Sequence, residues 1–354
     1  MQFSSTLRSA LIGLCLSAIS VAAAPGLSLA VSSASGANSF AGVENFKVTA
    51  SLVNSGNEPL KLLKDPRTIL SSIPTNSFAI SNAEGASPSF IGAKVKFVPE
   101  YVVKNNINDA FVILAPGESL QLEHDLSAAY NFTRPGEGTY DVQANNLFLH
   151  VDPTTNEIKE LQAAHEAPFT SSLTGRLAVA PPPTKREVYR SCSSSEQSQV
   201  ASAANQAASY ANAASSYVNS HTSSTPRFVE WFGTFTAAHH TTVASHYTNI
   251  KGYSFTGNTY DCSCNEAGTY AFVNLNEFGV IHLCPVFWEA PLSGTDSKGG
   301  TLIHESSHFT QIAGTDDHVY GQSGARALAE SNPTQAIDNA DNHEYFAENN
   351  PALS

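Results

Sequence analysis

Three consecutive prolines, Pro181-Pro182-Pro183, followed by Thr184 and the dibasic pair Lys185-Arg186, divide this chain into two unlike halves. Proline fixes φ and carries no N–H, so the run cannot continue a sheet and reads as a stiff, exposed linker. The 354 residues around it are enough for about two domains. On its own, Lys185-Arg186 is a solvated linker pair. Its position between dissimilar halves makes it a processing site, with residues 25–186 a β-rich propeptide and 187–354 the mature domain.

Upstream of the linker the pattern has period two. Phe46, Val48, Ala50 and Leu52 alternate with polar residues, as do Val95 and Phe97, Leu120 and Leu122, and Tyr140 and Val142. Turn signals separate them at Asn54-Ser55-Gly56-Asn57, Pro116-Gly117-Glu118 and Pro135-Gly136-Glu137-Gly138. Short strands at this spacing predict an antiparallel, sandwich-like half. Asn131-Phe132-Thr133 is a glycosylation sequon. Downstream the pattern turns helical. Residues 193–220 are rich in Ala, Ser and Gln, and Phe228 to His246 carries Trp231, Phe232 and Phe235 at helical spacing, as core rather than as a binding face. Residues 253–287 read as strands and turns, and 300–312 and 322–348 as helices. The fold class is α+β: a β-sandwich-like propeptide, then a mainly helical domain with a small sheet.

Arg8 precedes an apolar run from Ala10 to Ala24 that ends in small residues. This is the layout of a signal peptide over residues 1–24. The run is shorter than the ~20 residues of a membrane span, so the mature protein is expected to be secreted, extracellular and without a membrane partner. Cys15 leaves with the signal peptide. Cys192, Cys262, Cys264 and Cys284 remain, an even set that reads as two disulfides rather than a zinc–thiolate cluster. Four cysteines allow three pairings, and spacing does not choose between them. The net charge of −13 argues against nucleic-acid binding. From Glu187 onward five Lys/Arg stand against sixteen Asp/Glu, a field that attracts cationic substrates.

The chemistry is concentrated in His304-Glu305-Ser306-Ser307-His308. On a helix, histidines four apart lie one turn apart on one face and can reach a single ion. Glu305 beside them can take a proton from a metal-activated water without being a ligand, which is the H-E-x-x-H arrangement of zinc proteases. A catalytic zinc needs a third protein ligand and one open position. Gln311 and Gly314 stand where the metzincin pattern has Gly and His, so that class fails. Glu330 and Glu344 are distant candidates. Gly314 can end the helix with positive φ and fold the chain back, which brings Asp316, Asp317 and His318 into competition, and spacing does not separate them. His343 could be mistaken for a ligand but is rotated about 100° from its helical neighbours. His239, His240 and His246 read as exposed helix residues rather than a second metal site.

The pair H-E-x-x-H and G-T-x-D-x-x-Y-G, the latter in Gly314-Thr315-Asp316-Asp317-His318-Val319-Tyr320-Gly321, resembles the aspzincins, the deuterolysin family of fungal proteases. The resemblance implies Asp317 as third zinc ligand and Tyr320 as hydrogen-bond donor to the oxyanion. Cys192-Ser193-Ser194-Ser195-Glu196-Gln197, Gly294-Thr295-Asp296-Ser297 and Asn339-Ala340-Asp341-Asn342-His343-Glu344-Tyr345-Phe346 look like the peptidyl-Lys metalloendopeptidase branch over essentially all of 188–354. That branch implies pairs Cys192–Cys262 and Cys264–Cys284, an acidic S1′ pocket from Asp341 and Glu344, and an aromatic, Tyr270, beside it. Two carboxylates at i, i+3 on a helix can converge on one ammonium. The expected function is therefore zinc-dependent hydrolysis on the N-terminal side of lysine, with one Zn2+ and with Glu305 as general base. Lysine-containing proteins and peptides are the expected partners of a monomeric mature enzyme, and its own propeptide is the partner before processing. A broad-specificity deuterolysin-like protease is the alternative, and a non-catalytic zinc-binding protein a further one. His124, His150 and His165 are the only zinc-blocking candidates in the pro-half, and nothing in the sequence supports them. A lysine-specific enzyme could also cut before Lys185 itself.

Overall fold

The computed structural model describes residues 24–180 and 187–353. The expected signal peptide, apart from Ala24, and the whole of 181–186 with its dibasic pair lie outside them. Among the described residues, no helix is long and apolar enough to cross a membrane. Helices and strands are both abundant and the class is α+β: strands dominate from Leu27 to Thr174, helices from Ser194 to Glu348.

In the N-terminal half, one sheet orders Ala164–His165, Leu27–Ser33, Lys47–Asn54 and Ser119–Asp125, and another Ser39–Ala41, Phe169–Thr174, Gly138–Ala144 and Phe78–Asn82. Alternation puts every second residue of a strand on one face. Accordingly Val48, Ala50 and Leu52 are buried in one core with Phe40, Tyr140, Val142 and Leu173. A further sheet joins Ile158–Gln162, Leu147–Val151, Leu60–Leu63 and Phe111–Leu114.

The strand Ala93–Phe97 departs from this pattern. Alternation with Val95 and Phe97 implies that Lys94 and Lys96 face water, yet all five residues are buried, Lys96 completely. The strand leaves its own half and closes the edge of the other half's sheet, ordered Tyr189–Arg190, Thr259–Asp261, Val280–Leu283, Thr269–Asn274, Ala93–Phe97. It runs antiparallel to Thr269–Asn274, with Val95 opposite Phe272 and Ala93 opposite Asn274. Val95 and Phe97 join a core with Val102, Leu149 and Tyr320, so apolar residues from both halves lock the strand in place.

The long helix Ser194–Ser220 begins with a capping box: Ser193 Oγ accepts from the Glu196 N–H and the Glu196 carboxylate from the Ser193 N–H. Its buried alanines, including Ala203, Ala207 and Ala211, leave room for the helix Lys298–Ser307, all ten residues of which are buried. A Cβ on Gly299 would lie 2.6 Å from Gln206 Cγ, and one on Gly300 2.1 Å from Glu348 Oε1. The glycine pair is what lets this helix slot between the long helix and the C-terminal helix Ala340–Glu348.

The run Phe228 to His246 is not one helix but two, Pro226–Phe232 and Ala237–Gly252. Phe228, Trp231 and Phe232 are core, as their spacing implies. Gly233 breaks the run with φ 71° and ψ −154°. Likewise 322–348 resolves into Gly321–Ser331, Pro333–Ala336 and Ala340–Glu348, since Pro333 lacks the N–H to continue a helix and fits its first turn. The disulfides are Cys192–Cys262 and Cys264–Cys284.

A Cβ at Gly233 would sit 2.0 Å from the Ala329 carbonyl oxygen, in a conformation L side chains avoid. Gly233→Ala should therefore lower unfolding stability by about 1–3 kcal/mol. An unchanged urea midpoint would contradict that reading of the break.

Candidate metal centre

Helical spacing stacks His304 and His308 on one face, and the chain after Gly314 (φ 64°) folds back to deliver Asp317. His304 Nε2 lies 3.3 Å and His308 Nε2 3.4 Å from Asp317 Oδ1. All three atoms are buried, and none has a hydrogen-bond partner among the described residues. A tetrahedral ion with bonds of about 2.0–2.1 Å separates its ligands by about 3.3 Å. Three orphaned ligand atoms, two of their separations near that value and all within 4.8 Å of one another, fit one small divalent cation.

The rings are held from behind. His308 Nδ1 is 2.9 Å from the Thr315 carbonyl, which can only accept, so Nδ1 carries the proton and Nε2 presents its lone pair. His304 Nδ1 lies 2.8 Å from Asp341 Oδ1, an ion-pair contact without the alignment of a hydrogen bond, in the carboxylate–histidine arrangement common to metal sites.

The other third-ligand candidates point elsewhere. Asp316 pairs with Lys94, His318 Nε2 lies 3.0 Å from Asp338, and Glu330 is exposed. Glu344 approaches His304 from the Nδ1 side, at 3.5 Å. His343 points away from the cluster, with Nδ1 3.0 Å from the Asn339 carbonyl and Nε2 3.0 Å from His246 Nδ1. His239, His240 and His246 are half-buried rather than exposed, because their helix packs into the domain; His240 Nε2 lies 2.8 Å from the Val218 carbonyl. None of the three enters a metal-competent cluster among the described residues. In the N-terminal half, His124 stacks edge-on with Phe78, His150 is buried beside strand Leu60–Leu63, and His165 meets the Ala144 carbonyl.

Glu305 is fully buried beside the two histidines. Its Oε1 accepts the Lys96 backbone N–H at 3.0 Å, while Oε2 has no partner among the described residues. Val95 N–H donates to Asp317 Oδ2 at 3.0 Å. Tyr320 caps the helix Gly321–Ser331, with its ring edge-on to Phe97.

Next to the cluster lies a closed acidic pocket. Asp341 and Glu344 converge as their i, i+3 spacing implies, and their occupant is Lys96. Its Nζ is 2.8 Å from Glu344 Oε2, 3.0 Å from Asp341 Oδ1 and 3.3 Å from Asp296 Oδ1. Tyr345 and Tyr270 place their ring centroids 4.8 and 5.8 Å from the same ammonium. Sequence reasoning missed Asp296, Tyr345 and Lys96. Asp296 lies in Gly294-Thr295-Asp296-Ser297, where nothing local distinguishes it from a loop acid; Tyr345 Oη fixes it at 2.6 Å.

Electrostatics follow from burial and proximity. Burial alone would raise the Asp317 carboxyl, but His308 and His304 hold it well below its ordinary range. Burial opposes charge on His304, yet Asp317, Asp341 and Glu344 outweigh it and raise that imidazole well above its usual value. The carboxylates therefore demand positive charge, which a divalent cation would supply. Burial pushes the Glu305 carboxyl well up and keeps the Tyr320 phenol protonated. Burial also opposes charge on Lys96, but Asp341, Glu344 and Asp296 win and raise it.

The aspzincin family model, described as lysine-specific metallo-endopeptidase, matches residues 217–348. A peptidyl-Lys metalloendopeptidase of Grifola frondosa is 50% identical over 349 residues, 98% of this chain and 99% of that protein. One of Armillaria mellea is 51% identical over 356 residues, spanning 100% of both. One of Pleurotus ostreatus is 62% identical over 163 residues, 46% of this chain and 97% of that protein.

Removing a direct ligand should weaken metal binding beyond the roughly 10–100-fold that loss of an outer partner costs. Asp317→Ala should thus lose its divalent metal under dialysis that leaves the parent loaded, with Asp341→Asn in between, as read by metal analysis. Equal metal retention in Asp317→Ala would contradict the triad.

Proposed function

The chain belongs to the aspzincin family of metallo-endopeptidases, and on that premise we propose that it is a secreted zinc enzyme cutting peptide bonds on the N-terminal side of lysine. The observation that carries the specificity is the buried pocket of Asp341, Glu344 and Asp296 holding an ammonium beside Glu305. Lysine is a compact point charge that suits carboxylates converging from several directions. A neutral P1′ side chain would leave the buried Asp341 and Glu344 and the half-buried Asp296 without a cation, so the pocket rejects as well as selects.

His304, His308 and Asp317 would hold the zinc. When bound, zinc supplies Lewis acidity to the attacking water and the scissile carbonyl. Glu305 takes a proton through its unpartnered Oε2 and passes it to the leaving nitrogen, whose position is marked by the amide that Oε1 already accepts. Tyr320, kept neutral, donates to the developing oxyanion. Asp341 both turns His304 and receives the substrate ammonium, while Tyr270 lines the pocket.

We read 25–186 as a sandwich-type propeptide removed at the linker, and 187–354 as the zincin domain that remains. A relative matched over 97% of its own length by 46% of this chain supports that two-part reading. The two disulfides and the apolar N-terminal run support secretion.

Glu305→Gln should retain zinc and lose about 10²–10⁴-fold in kcat; a zinc-loaded variant with parental turnover would overturn the assignment of the base. For the pocket, Glu344→Gln should lower kcat/KM on a lysine peptide about 10-fold or more, while turnover of an alanine analogue stays level. A matched loss on both peptides would count against the pocket.

A further inference from the structure

The lysine in the pocket belongs to the chain itself, 200 residues or more before the carboxylates it meets. Four features make its strand resemble a bound substrate. Ala93–Phe97 adds to the open edge of the sheet in antiparallel register with Thr269–Asn274, the way an extended peptide docks on a strand edge. Its lysine ammonium enters the acidic pocket and is fully buried there. Its Lys96 N–H meets the catalytic carboxylate. Its Val95 N–H meets the third ligand. A core residue facing a neighbour by chance would satisfy one of these, not all four.

We propose that Ala93–Phe97 is an internal substrate mimic, in which Lys96 fills the lysine pocket and keeps the undivided chain latent. The proposal rests on the reading of Asp341, Glu344 and Asp296 as the lysine pocket. It also assigns the N-terminal half a definite partner, the active cleft, and a definite means of recognition, the same ammonium that marks a substrate. Latency then needs no metal-blocking side chain. The three histidines of that half stay among their own strands, and the strand excludes substrate by occupying the backbone edge and the pocket together. Anchoring is shared: Val95 and Phe97 hold the strand from one face through the core with Val102 and Tyr320, and Lys94 and Lys96 hold it from the other through Asp316 and the pocket. Because the occupant is tethered, its effective concentration stays high until the linker is cut.

The test uses the full chain with zinc in a Glu305→Gln background, so that no self-cleavage occurs. Binding of a fluorescein-labelled alanine-flanked lysine peptide is read by anisotropy. Lys96→Glu, which sets a fourth carboxylate among three, should tighten binding by tenfold or more. Lys96→Ala should tighten it several-fold, and Lys96→Arg should leave it near the parent. Zinc content and thermal unfolding establish that each variant is folded; if Lys96→Glu does not fold, Lys96→Ala decides. Peptide binding no tighter in either variant than in the parent overturns the mimic. The pocket reading is scored separately, on the processed wild-type enzyme, by its preference for the lysine peptide over its alanine analogue. A processed enzyme that prefers lysine beside Lys96 variants that stay closed sinks the mimic alone.

Discussion

The buried carboxylate of Asp341 joins everything else in the site. A charge without water must be paired and hydrogen-bonded or it destabilises the fold. Asp341 meets three positive or donor groups at once: His304 Nδ1 at 2.8 Å, the Lys96 ammonium at 3.0 Å and the Gly321 N–H at 2.6 Å. Burial would raise its carboxyl, but Lys96 and His304 outweigh burial and lower it. Metal geometry, substrate charge and the start of the Tyr320 helix thus depend on one side chain. A change at Asp341 therefore reads out as a mixture of effects, whereas Glu344 lies 3.5 Å from His304 Nδ1 against 2.8 Å for Asp341 and reports more on the pocket.

The packing that keeps this charge dry is equally specific. Gly299 and Gly300 bring the histidine helix against the long alanine-faced helix and the C-terminal helix at distances no larger residue permits. Glu348 then caps the same helix by accepting from Ser297 N–H and Oγ at 2.8 and 2.7 Å. Both histidines and the two helical pocket acids, Asp341 and Glu344, therefore project from elements clamped to each other. Rigid elements hold a reacting constellation more closely than loops do. Asp317 and Asp296 come from loops, and each is held by a neighbour: Asp317 by Val95 and the histidines, Asp296 by Tyr345.

Local features were legible in the sequence. His304, Glu305 and His308 lie within one helical turn and a half, so spacing alone places them. Asp341 and Glu344 converge for the same reason. Asp317 was separable from Asp316 and His318 only by resemblance, because direction after the Gly314 turn is set by partners far away, Lys94 for one and Asp338 for the other. The strand Ala93–Phe97 was legible as a strand, but period two does not say which sheet a strand joins, and so nothing in the sequence set Lys96 apart. The break at Gly233 was hidden for a related reason: the aromatics on either side keep helical spacing, while the carbonyl that excludes a side chain there comes from Ala329. What the sequence withheld was long-range in each instance.

Lysine specificity is the claim that joins the family, the acidic pocket and the internal lysine. A cleavage map tests it most directly: the processed enzyme acts briefly on a reduced, denatured protein of mixed sequence, and mass spectrometry reads the new N-termini. These should begin overwhelmingly with lysine, with arginine far behind. New N-termini spread over apolar and polar residues alike would contradict it, leaving a general metalloprotease whose acidic pocket has another purpose.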